Sequence, residues 1–149
     1  FLLIRYVMEA YGRVFDPSLV NFGLERWPSS NQQELSHQEQ GYQIALDVFE
    51  QPSATTPDGI IVIDDLMTDG ALSALQLLRI KPGEDVKLVT HANVGSMRFL
   101  NHIPGLTAIE FDPAEIVQAM FTLLDTLFSG ETPALPTTLI APRLRNRQD

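Results

Sequence analysis

The chain has no cysteine, two lysines and one tryptophan in 149 residues. Without cysteine there is no disulfide, no thiolate metal site and no thiol nucleophile. Ten basic residues face nineteen acids, for a net charge of −9. A surface that grips nucleic acid needs clustered lysine and arginine. The nearest approach to one, Arg143, Arg145 and Arg147, lies at the extreme C-terminus, where a frayed tail is expected. No apolar run reaches the length of a membrane span, so no membrane partner is expected. The sequences GxSxG, P-loop and GxGxxG are missing too. No catalytic residue, cofactor or metal is therefore expected, and the protein does not read as an enzyme.

What is present suits one globular domain with a real core: 44% of residues are hydrophobic and 19% charged. The chain opens on Phe1-Leu2-Leu3-Ile4, with neither an initiator Met nor a basic n-region. It reads as a piece of a longer protein.

Apolar residues at positions 3, 4, 7, 8, 11 and 14 predict an amphipathic helix over 1–14, and Asp16-Pro17 predicts a turn. Ser18 to Phe22 reads as a short strand. The polar stretch 28–40 reads as a loop, followed by a helix from about Gln38 to Phe49. Gly59 to Ile63 has four consecutive apolar β-formers, which predicts a strand buried on both faces. A helix over 66–78, strands over 86–90 and 106–111, and a helix from Pro113 to Phe128 follow. That last helix has Asp112 as N-cap, a first-turn Glu115 and a stop at Gly130. Residues 133–144 are interrupted by proline and suit at most an edge strand. Strands alternating with helices imply βαβ units and an α/β doubly wound, mostly parallel sheet. Ligands of such sheets bind beyond the C-terminal strand ends, where Asp64, Asp65, His91, Asn93, Phe111 and Asp112 fall.

Adjacent acids on an extended chain point to opposite faces, which argues against Asp64 and Asp65 as a catalytic pair. The run IIVIDD also resembles the first strand of a phosphorylation receiver domain. That reading fails, because no lysine follows Lys87 and 37 residues after Asp112 cannot complete the fold. Asp65 suits a helix cap or first-turn acid; for Asp64, closing the strand beside the pocket, a purely structural role and a ligand contact both remain open.

Read as one string, residues 58–149 resemble the effector-binding domain of LacI/GalR-family transcription regulators. GIIVIDDLMTDGALSAL, KPGEDVKLVTHAN, PGLTAI, FTLLDTLFSGETP and LPTTLIAPRLR occur in the family's order and spacing. Arg5-Tyr6 to Val20 resembles the helix that begins with a ligand-binding Arg. The resemblance implies a type I periplasmic-binding-protein-like fold, present here as a partial domain. Residues 1–105 would be most of the C-terminal lobe, 106–130 a strand and helix of the N-terminal lobe, and 131–149 a crossover and final extended segment. The first lobe and the DNA-binding headpiece would lie upstream.

The resemblance also implies ligand contacts by Arg5, Trp27 and Asp64. The family's ligand-gripping carboxylate aligns with Ala92, and a frequent Gln with Phe111. His91, Asn93 and Phe111 are the residues that could compensate. The implied partners are a small-molecule effector (a sugar or related polar metabolite), a second copy in a homodimer, and DNA through the headpiece alone. The implied location is cytoplasmic. The alternative is a piece of a periplasmic solute-binding protein of a transport system.

Overall fold

The computed structural model describes residues 2–20, 35–50, 56–96, 103–133 and 137–146, in two compact units, Phe1–Glu34 and Leu35–Asp149. The first unit contains α1 (Leu2–Ala10). The helix stops short of Val14, with Gly12 at a φ of +67°. The strand expected from Ser18 starts instead as a 3-10 turn, Pro17–Leu19, in which the Leu19 N–H donates to Asp16 O at 3.2 Å. Proline presets φ near the helical value, which favours a helical turn over an extended start. Trp27 and most of the predicted polar loop lie outside the described residues.

The second unit opens with α2 (His37–Phe49). Its start is fixed by a capping box: the Ser36 side chain accepts from the Glu39 N–H, and the Glu39 carboxylate accepts from the Ser36 N–H at 2.8 Å. That backbone hydrogen bond, more than the one from the Ser36 hydroxyl, holds the Glu39 carboxyl below its ordinary range. Next come β1 (Gly59–Val62), α3 (Asp65–Leu77), β2 (Lys87–Asn93), β3 (Leu106–Phe111), α4 (Pro113–Phe128) and β4 (Arg143–Asn146). The sheet order is β1-β2-β3-β4; the first three strands are parallel and β4 runs antiparallel to β3. This is the parallel-dominated α/β arrangement that the alternation of elements predicts. β3, assigned by resemblance to the other lobe, is an integral strand of this sheet beside β2.

One sheet face is packed. Leu88, Ala92 and Leu106 form a buried cluster with Ile60, Val62 and Leu72, so α3 lies on this face. Thr90 and Thr68 meet there through their hydroxyls at 2.6 Å, both fully buried. α2 then packs on α3 through Ala45, Ala71 and Ala74. The two helices cross so closely that a β-carbon on Gly41 would collide with the Met67 carbonyl, and one on Gly70 with the Gln38 carbonyl. Only glycine fits at such an approach.

The expectation that β1 is buried on both faces needs correction. Ile61 is 61% exposed, and among the described residues β1 is an edge strand with one covered face. A continuous apolar run reports that a strand is suited to burial on both sides, and the covering layer has to come from elsewhere. The C-terminal arginines need correction too. Arg143 and Arg145 are not in a frayed tail but in β4: Arg145 Nη2 lies 2.8 Å from Glu110 Oε1, and Arg143 pairs with Glu115 and Asp112.

Candidate functional site at the C-terminal ends of the strands

Because β1, β2 and β3 are parallel, their C-terminal ends open on one edge of the sheet. β2 is longer than predicted, running through His91 to Asn93. Strand alternation therefore puts His91 and Asn93 on the open face and Ala92 on the packed one. Asn93 is the register partner of Phe111, which places His91, Asn93 and Phe111 on the same open face. The His91 and Phe111 rings lie 5.1 Å apart, tilted by 49°. The aromatic residue where the family often has Gln thus forms a step with the histidine. Ala92, at the aligned carboxylate position, is only 1% exposed and sits in the core cluster. An apolar side chain there suits its surroundings.

The two acids diverge, as adjacent residues at a strand end should. Asp64 is the N-cap of α3: its Oδ1 accepts from the Met67 N–H at 2.9 Å. Its other oxygen, Oδ2, lies 3.2 Å from His37 Nδ1 at the start of α2. Asp65 is the first-turn acid, and its Oδ2 accepts from the Ser96 hydroxyl at 2.9 Å. Ser96 also lies 2.8 Å from the Asn93 carbonyl, while the Val94 N–H donates to Phe111 O at 2.8 Å. The turn after β2 thereby ties the α3 start to the ends of β2 and β3. Asp64 does double duty as cap and as a half-exposed rim carboxylate.

The structure brings four of the predicted residues, Asp64, His91, Asn93 and Phe111, to one rim. Arg5 belongs to the first unit; it is exposed, and its guanidinium Nε donates to Glu9 Oε1 at 2.8 Å. That hydrogen bond raises the arginine's pKa above its usual value. Trp27 lies outside the described residues. Two rim residues were not foreseen. His37 and Ser96 meet their acids across 27 and 31 residues of sequence, a separation that no local pattern reports. The capping box beside His37 was legible as Ser-x-x-Glu at 36–39.

Among the described residues no group of three His, Asp or Glu side chains is placed to hold a metal ion. No helix among them is long and apolar enough to cross a membrane. A shallow cleft between α2 and α3, lined in part by Gln38, Tyr42, Gly70 and Ser73, contains none of the rim residues. Among the described residues the rim presents two carboxylates (Asp64, Asp65), an amide (Asn93), a hydroxyl (Ser96), two imidazoles (His37, His91) and a phenyl ring (Phe111).

Residues 23–148 match the family described as periplasmic binding protein-like domain. Among solved structures, the transcription regulator CcpA of Lactococcus lactis is similar at 21% identity with a TM-score of 0.74, over 97% of this chain and 47% of that one. A regulatory protein of the LacI family from Chloroflexus aggregans is similar at 17% identity and TM-score 0.72, over 95% and 46%. The transcriptional regulator CelR in complex with cellobiose is similar at 21% identity and TM-score 0.70, over 95% and 38%. The chain thus spans less than half the length of these proteins. No curated protein sequence matches it.

Proposed function

The chain belongs to the periplasmic binding protein-like domain family, and from that premise we propose that it is an effector-sensing part of a transcription regulator of the LacI/GalR type. The resemblance of its motifs to that family's effector-binding domain is matched by the family assignment and by the folds of the regulators described above. The observation that carries the reading is the rim. Three parallel strands deliver His91, Asn93, Phe111 and Asp64 to one edge of the sheet, where this architecture places ligands.

The effector is a sugar or related polar metabolite. The carboxylates and amide take its hydroxyls, and the His91–Phe111 step takes its apolar face. CelR was solved with cellobiose, so a disaccharide is a reasonable first probe. Binding makes and breaks no bond. It closes two lobes and shifts a dimer between DNA-binding and released states, with DNA held by a headpiece outside this sequence. In this arrangement the strand β3 stays with the sheet and α4 crosses to the other lobe. Its apolar stripe meets that lobe or a second copy of the chain, and the protein works in the cytoplasm.

The test is a thermal-shift and calorimetric screen of mono- and disaccharides against the intact parent protein, with Asn93→Ala and Asp64→Asn alongside. A ligand that raises Tm in the parent, and at least tenfold less tightly bound by both variants, is the expected result. A ligand held equally well by both variants would move the site away from this rim. A cleaved secretion signal at the parent's N-terminus, without a DNA-binding headpiece, would replace the regulatory reading by solute transport.

A further inference from the structure

α4 is a lever held at one end. It has 16 residues, is about 24 Å long, and none of its described residues is buried. The chain enters it directly from Phe111, whose ring lies on His91 and whose carbonyl is held by Val94. At this joint its first turn meets a side chain from β4, Arg143. Arg143 stands opposite Glu110 in the antiparallel ladder, yet its guanidinium reaches two residues further along the chain. Nη2 lies 3.6 Å from Oδ2 of Asp112, the N-cap, and also bonds Oε1 of Glu115 in the first turn. Arg145, opposite Ala108, reaches two residues on in the same way and pairs with Glu110.

We propose that Arg143 is a positioning residue that clamps the first turn of α4 and sets the angle at which the helix leaves the sheet. The inference rests on the reading of α4 as the crossover between lobes. A tilt of about 10° at the clamp swings the far end of the helix by roughly 4 Å. The joint begins at Phe111, so a ligand that moves the His91–Phe111 step acts on the hinge that Arg143 restrains. Arg143 and Glu115 are about half exposed. Such pairs are weak and screened by salt. The clamp therefore biases the angle without locking it, as a sensor that must close and reopen requires.

The absence of cysteine makes the test direct. Spin labels on Gln76→Cys in α3 and Glu131→Cys beyond α4, in chains diluted with unlabelled protein, read one intramolecular distance distribution. With Arg143 present the distribution is narrow, and about 1 M salt widens it. In Arg143→Gln it is at least twice as wide at low salt, and salt adds nothing further; Arg143→Lys recovers part of the narrowing. An unchanged width in a folded Arg143→Gln protein, judged by circular dichroism, overturns the proposal. Should that variant fail to fold, Glu115→Gln decides in the same way, an unchanged width again overturning it. A width that responds as expected, together with effector affinity in the parent protein indifferent to Arg143→Gln, keeps the clamp and removes the two-lobe reading.

Discussion

α3 and α4 start alike and end differently. Each follows a parallel strand of the same sheet, each is capped by an aspartate that accepts from its first turn, and each carries an acid in that turn. Yet α3 buries Thr68, Gly70, Ala71, Ala74 and Leu75, while no described residue of α4 is buried. α4 has the larger apolar side chains: Val117, Met120, Phe121, Leu124 and Leu127 stand exposed along it, Phe121 at 62%. Small residues suit α3 to a close crossing with α2 and to the sheet below. The bulky stripe of α4 suits a surface that the described residues do not supply. An apolar patch of that extent on a folded domain marks a site of association.

The contrast can be broken by substitution. Gly70→Val should cost the most, about 4 kcal/mol, because its β-carbon meets backbone that cannot step aside. Leu75→Ala, at a fully buried position, should cost about 3 kcal/mol. Both are read as a lower midpoint in urea denaturation. Thr68→Val removes the hydroxyl that meets Thr90 and donates to Asp64 O, leaving the Thr90 hydroxyl with the His91 carbonyl at 3.2 Å, and should cost about 1 kcal/mol, whereas Thr68→Val with Thr90→Val together should cost less than the sum of the two. Asp64→Ala and Asp112→Ala each remove an N-cap at about 1 kcal/mol. Of these two, only Asp64 is proposed to contact the effector, so only Asp64→Ala should also weaken effector binding.

Phe121→Asp should change the unit's own stability least, by about 0.5 kcal/mol or less. If the α4 stripe meets a second copy of the chain, the effect of the substitution appears instead in light scattering, as a lower mass. If Phe121→Asp cost as much as Leu75→Ala while the mass stayed unchanged, α4 would be packed like α3 and the comparison would collapse.

Much of this was legible beforehand, for local reasons. Asp112-Pro113 with Glu115, and Gly130 after Phe128, bound α4 because capping, proline placement and helix termination act within a turn of the chain. The β1-α3-β2 unit was legible because apolar period changes between strand and helix. The candidate rim was legible as a set of strand ends, since a parallel sheet puts them all on one edge. The 3-10 turn at Pro17–Leu19, where the start of a strand over Ser18 to Phe22 was expected, shows the limit of short apolar runs near proline.

Tertiary structure decided what depends on distant partners. The extension of β2 to Asn93 and its register with β3 put His91, Asn93 and Phe111 on one face and turned Ala92 into the core. Long-range pairing gave Asp64 to His37 and Asp65 to Ser96, and among the described residues left the run Gly59–Val62 at the edge of the sheet. The arginines near the C-terminus became a strand because β3 offered them a ladder and one acid, Glu110, and the start of α4 two more, Asp112 and Glu115. Helix ends and strand propensities are settled within a few residues and can be read in order along the chain. Which face is covered, and which charges meet, is settled only when segments far apart in sequence come within a few ångströms.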